Sequence, residues 1–252
     1  MILVGITGPI GHGKSTLASA LQQSESNSQV IETSEVINEV VNDLNHHAQQ
    51  LPQKNDLSSI NEWLSNLSQI LPKVIHQRIN WSRLELTNSA ISAKTRDYIK
   101  LFEYIDSLHA NPQLLHQNIT ETNKKDYRSM QQWLGGYLVT HLDADIWYSE
   151  ILRRSKIASK NGLMLYVVGG VRFLSDADCM RKAGARIVAI SRPDVTISDI
   201  DDPTERERAQ IRPDSTVINN GSLSQLNNTA RQLWSDLLAD QLRPEYRTND
   251  LS

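Results

Sequence analysis

Short β-branched apolar runs recur along the chain at Ile2 to Thr7, Gln29 to Thr33, Leu163 to Val168, Arg186 to Ser191 and Ser215 to Asn219. Each is compact and lacks polar alternation, the pattern of strands buried on both faces of a parallel sheet. Between them, Lys14 to Gln23, Glu35 to Gln49, Asp143 to Lys160, Ala177 to Lys182 and Leu223 to Asp240 carry apolar residues at three-and-four spacing and read as helices. Alternating strands and helices imply right-handed crossovers and an α/β layer fold with a five-stranded parallel sheet.

The alternation breaks once, over the stretch rich in Gln, Asn, Leu and Ser between the second and third strands. Its periodic segments, Ser59 to Leu71, Lys73 to Ser89, Ala93 to Ala110 and Lys124 to His141, read as helices broken near Pro52, Pro72 and Pro112. A helical insertion at 51–141 is therefore expected within a core made of 1–50 and 142–242, with a frayed polar tail at 243–252. Amphipathic helices of this kind suit a substrate cover or a homo-oligomer surface equally well. Trp63, Trp81 and Trp133 are expected to anchor its core rather than stack on a ligand.

Composition narrows the function classes. The 252 residues are 39% hydrophobic and 22% charged, enough apolar material for one large core and far from a disordered composition. A formal charge of -3 argues against a nucleic-acid groove as the main purpose. The single cysteine, Cys179, can form no internal disulfide and is expected to be a buried, inert thiol. With no basic n-region, cleavage site or membrane-length apolar run, the expectation is a cytoplasmic protein without a membrane segment.

The sharpest chemical signal is Gly8-Pro9-Ile10-Gly11-His12-Gly13-Lys14-Ser15, which fits G-x-x-x-x-G-K-[ST] between a strand and a helix. Glycines let successive backbone N–H groups turn toward one anion, and the following helix adds its positive end. Lys14 can neutralise β/γ oxygens of ATP, and Ser15 can offer its hydroxyl to Mg²⁺. His12 occupies a variable position of this nucleotide-contacting loop and is expected to face solvent rather than act as a base.

Three later segments, in order, carry a family resemblance. They are Leu134-Gly135 through Asp143-Ala144-Asp145-Ile146-Trp147, then Val171-Arg172-Phe173 continuing to Ala183 through Pro193, then Val217-Ile218-Asn219-Asn220-Gly221 to Leu226. With the loop they make the chain resemble the deoxynucleoside monophosphate kinases, with dephospho-CoA kinases as cousins. The resemblance implies a P-loop, nucleotide-kinase-like three-layer fold, ATP and Mg²⁺ at the first loop, and a small-molecule acceptor, a nucleotide, under the helical insertion. It implies that Gly8, Gly11, Gly13, Lys14, Ser15 and Thr16 hold the triphosphate and that Arg172 lies near the transferred phosphate. Arg192, Arg206, Arg208 and Arg212 are its candidates for an arginine-bearing lid, which phosphoryl transfer uses for charge stabilisation. For Arg206 and Arg208 a solvated helix with Glu–Arg pairs is an equal alternative. Asn220 and Gly221 are either an adenine contact or a plain turn capped by Ser222.

Three family positions have lost their charge. The acid before Val-Arg-Phe is Gly170, the family's Asp after the second strand is Ser34, and the stretch Gly-Thr-Glu-x-x-Arg reads Gly135-Gly136-Tyr137-Leu138-Val139-Thr140. Glu32 and Glu35 flank Ser34, and either could reach the magnesium shell or the acceptor, with Glu35 preferred as the catalytic acid. A nucleoside monophosphate kinase with rearranged acids is the leading reading, and a nucleotide-binding regulatory module without transfer is the alternative. A hydrolytic switch ranks third, because no apolar strand ends in Asp or Asp-Glu.

Overall fold

The computed structural model describes residues 1–47, 95–120, 122–141, 144–195 and 203–242, with isolated positions between 58 and 77. Five strands, β1 (Ile2–Thr7), β2 (Ser28–Glu32), β3 (Leu165–Gly169), β4 (Arg186–Ser191) and β5 (Ser215–Ile218), form one sheet. All pairings are parallel, in the order β2-β3-β1-β4-β5. Among the described residues the α-helices are α1 (Lys14–Ser24), α2 (Thr33–His47), α3 (Thr95–Ala110), α4 (Arg128–His141), α5 (Ile146–Lys160), α6 (Leu174–Lys182), α7 (Pro203–Arg208) and α8 (Leu223–Gln241).

Central and edge strands differ in burial. Every residue of β1 and β3 is buried, whereas β2 and β5 each bury one residue fully. The expectation of five strands buried on both faces is corrected here: β2 and β5 are edges, where most positions are partly or fully exposed. On one face, α1 and α8 pack over Ile2, Val4 and Ile6 of β1, Leu165 and Val167 of β3, and Val188 and Ile190 of β4. The spacing of Leu226, Ala230, Trp234 and Leu237 places them on one stripe of α8, and all four are buried. The other face carries α6, whose Met180 approaches Gly5 of β1 together with Ile187 and Val171.

The chain divides into two compact units, one of residues 1–33 and 151–252 and the other of residues 34–150. This division assigns α2 and the start of α5 to the second unit, so its limits differ from the 51–141 insertion anticipated. Among its described residues the second unit consists of helices joined by short turns, with no strand. Within it, Tyr104 donates to Asn45 Oδ1 at 2.6 Å, Tyr127 donates to the Leu114 carbonyl at 2.6 Å, and the two rings lie 6.4 Å apart. Trp147 Nε1 donates to the Gly135 carbonyl at 3.2 Å. Trp63 and Trp133 are buried there, as core anchors should be. Trp81, most of 59–89 and the tail beyond Leu242 lie outside the described residues. Cys179 is half-buried rather than buried.

Candidate active site

In an open parallel sheet, ligands gather beyond the carboxyl ends of the strands where strand order reverses. Here β1 is that strand, flanked by β3 and β4, and the glycine-rich loop leaves its carboxyl end for α1. Two glycines of the loop are required by space as well as by backbone. Gly8 (φ 154°) passes so close to the Ile190 carbonyl that a side chain would collide with it. Gly13 has φ 98°, a left-handed value, and a Cβ there would lie 2.6 Å from Asn219 Nδ2.

Lys14 folds back across the loop, its Nζ donating to the carbonyls of Gly8 and Pro9 at 2.8 Å each. Burial is the main force lowering its pKa from 10.5, followed by the Arg172 charge, with Arg208 adding to it and Glu205 and Glu32 opposing. Lys14, Arg172 and Arg208 therefore share one electrostatic neighbourhood at this end of the sheet. Arg172 follows β3, and its side chain is exposed; its backbone N–H donates to Asp176 Oδ2 at 3.1 Å, as does that of Phe173 at 3.0 Å. Asp176 thus fixes the turn that carries Arg172 by holding the two amides that lead into α6. Burial pushes its carboxyl up to about 6, against those two hydrogen bonds.

His12 corrects the expectation of a solvent-facing side chain, since only 4% of it is exposed. Its Nδ1 accepts from the Arg192 backbone N–H at 2.8 Å, and its carbonyl accepts from Asn219 Nδ2 at 3.1 Å. The ring is a pin that ties the loop to the ends of β4 and β5. Because Nδ1 accepts, a neutral ring carries its proton on Nε2, a buried atom without a hydrogen-bond partner among the described residues. Burial, then the Lys14 charge, hold its pKa below 6.5. A variable motif position gives no sequence signal for this role.

Ser15 and Thr16 are exposed on the first turn of α1. Ser15 Oγ donates to Glu32 Oε1 at 3.3 Å. Of the two acids flanking Ser34, Glu32 is the one that meets Ser15, while Glu35 is exposed on the first turn of α2, in the second unit. The reason is register, because Glu32 ends β2 directly beside the last residue of β3.

The arginines separate. Arg192 follows β4 at the loop end, with an exposed side chain. Arg208 pairs with Glu205 at 2.9 Å, the two side chains 11% and 8% exposed, so this is a shielded pair and not the solvated helix of the alternative reading. Glu207 accepts from the Leu174 N–H at 2.9 Å, tying α7 to the start of α6, while Arg206 is exposed. Arg212 is corrected as a nucleotide contact. It precedes β5, its carbonyl accepts from Arg181 at the end of α6, and Asp214 binds Ile187 near the start of β4. It therefore lies at the opposite end of the strands from the loop, about 13 Å away along β5 at ~3.3 Å per residue.

After β5, a cavity of about 340 Å³ is lined by Ile218, Asn219, Asn220, Gly221 and Gln225 among others. Ser222 caps α8, with its Oγ accepting from Gln225 N at 3.3 Å and Gln225 Oε1 accepting from Ser222 N at 2.7 Å. The capped turn is thus real, and it borders the cavity. Asp143 and residues 196–202 lie outside the described residues.

No curated protein matches this chain. A family model described as deoxynucleotide monophosphate kinase matches residues 3–230, nearly the whole chain, spanning both the sheet and the helical unit. The chain belongs to the deoxynucleotide monophosphate kinase family and is a nucleotide phosphotransferase.

Proposed function

We propose that the protein transfers the γ-phosphate of ATP to a nucleoside monophosphate, deoxynucleotides first among them. The observation that carries this reading is the glycine-rich loop at the carboxyl end of β1, with Lys14 folded back over the Gly8 and Pro9 carbonyls and Ser15 beside a carboxylate. Phosphoryl transfer needs positioning and charge stabilisation more than covalent chemistry from the protein, and a glycine-rich loop with a lysine at a helix N-terminus supplies both. In this reading the amides of Gly8, Gly11, Gly13, Ser15 and Thr16 cradle the triphosphate. Lys14 exchanges its two carbonyl partners for phosphate oxygens, while Arg172 and the Arg192 side chain face the transferred group. The cavity beside Asn219 and Asn220 receives the base.

Oxygen ligands suit Mg²⁺, and the Ser15 hydroxyl beside a carboxylate is a donor set of that kind. Bound with ATP, the ion would neutralise charge on the β and γ oxygens.

The test is ADP formation from ATP and Mg²⁺ against a panel of deoxy- and ribonucleoside monophosphates and dephospho-CoA, beside direct ATP binding. One acceptor is expected to accelerate ADP formation well above the acceptor-free rate. ATP binding with no such acceptor would favour the regulatory module. Lys14→Ala is expected to abolish ATP binding, and unchanged affinity would overturn the loop assignment.

A further inference from the structure

The ends of β2 and β3 place a carboxylate over a pair of glycines. Where the resemblance implies an acid before Val-Arg-Phe, this chain has Gly170, preceded by Gly169. Glu32 is the register partner of Gly169. Paired residues on neighbouring strands point to the same face, with the strands about 4.8 Å apart, so a long side chain on one covers its partner if that partner has none. Glu32 does so: a Cβ on Gly169 would overlap its carboxylate, and one on Gly170 would lie 3.2 Å from Oε2. From this seat over β3, Oε1 accepts from Ser15 Oγ at 3.3 Å.

We infer that Glu32 is the carboxylate that completes a Mg²⁺ site with Ser15, supplied from β2 instead of β3, and that Gly169 is the residue that makes room for it. The inference rests on the reading that the loop binds ATP. Mg²⁺ keeps several waters, so the carboxylate acts on the ion directly or through one of them. A carboxylate beside a triphosphate is repulsive until a cation lies between them, and this gives the test its sign.

ATP is titrated calorimetrically into the full chain, with Mg²⁺ and separately with EDTA, for wild type, Glu32→Gln and Gly169→Ala. Mn²⁺ bound in the presence of ATP is counted by electron paramagnetic resonance. Gly169 is a strand residue without a positive φ, and the atoms its methyl would displace are the end of a flexible side chain, so Gly169→Ala is expected to melt like wild type.

Both variants should lose about 10- to 100-fold of the Mg²⁺-dependent tightening and the corresponding Mn²⁺ affinity. In EDTA, both should bind ATP no more weakly than wild type. Wild-type Mg²⁺ dependence in both variants overturns the inference while ATP binding stands. Loss in Glu32→Gln alone overturns the role given to Gly169. A wild type that binds no ATP in either condition overturns the loop reading and this inference with it.

Discussion

The His12 ring lies among the charges of Lys14, Arg208 and Arg192, with Glu205 opposing them, and burial adds to the cost of protonating it. The unfolded chain takes up this proton near pH 6.5, the folded chain only at lower pH. Below 6.5 the unfolded state therefore binds more protons, and stability falls as pH falls. Urea unfolding of wild type and His12→Gln should show the wild-type advantage shrinking from about pH 7 to pH 5; a constant difference would remove the pin from the account. Asp176 has the opposite sign. Its raised pKa contributes stability that is fully present below 3.8 and lost as pH rises to about 6. Asp176→Asn should thus gain on wild type across that window and run parallel to it above. Asp176→Ala, which leaves the amides of Arg172 and Phe173 without their acceptor, should cost about 1 kcal/mol, within the range for a lost N-terminal cap.

At the scale of elements, α8 shows how sequence periodicity becomes stability. Its stripe from Leu226 to Leu237 covers the sheet, and Ser222 with Gln225 closes its first turn. Ser222→Ala should lower stability by about 1 kcal/mol, measured by denaturant unfolding. Trp234→Ala empties the position where α8 meets the core and should cost about 3–5 kcal/mol. A much smaller loss would mean that the helix closes over the gap. Helices and central strands such as β1 and β4 were legible because burial and period act on a few consecutive residues. Edge character was not, since Val30, Ile31 and Val217 look as apolar as their counterparts in β3, and only strand order decides which strand lacks a neighbour.

Over the whole molecule, the sheet should open from its edges. Amide hydrogen exchange under native conditions is expected to be slowest in β1, β3 and β4, whose hydrogen bonds are shielded by strands on both sides, and faster in β2 and β5. Equal protection of β5 and β1 would show that the sheet opens as one unit. The helical unit of residues 34–150 forms its own tyrosine and tryptophan contacts, and its exchange should be read separately.

The sequence by itself determined the alternation of strands and helices and the loop at 8–15 with Lys14 and Ser15 in it, because these depend on local period and on residues near one another in the chain; Arg172 entered only through the family resemblance. Tertiary structure alone decided which acid meets Ser15, that His12 is buried, and that Arg212 stands at the wrong end of the sheet. Each of these follows from strand order and register. Glu32 and Gly169 are 137 residues apart in sequence and direct partners in the sheet. The pattern of a single strand cannot say which strand will lie beside it, nor, therefore, whose side chain will fill the space that a glycine leaves.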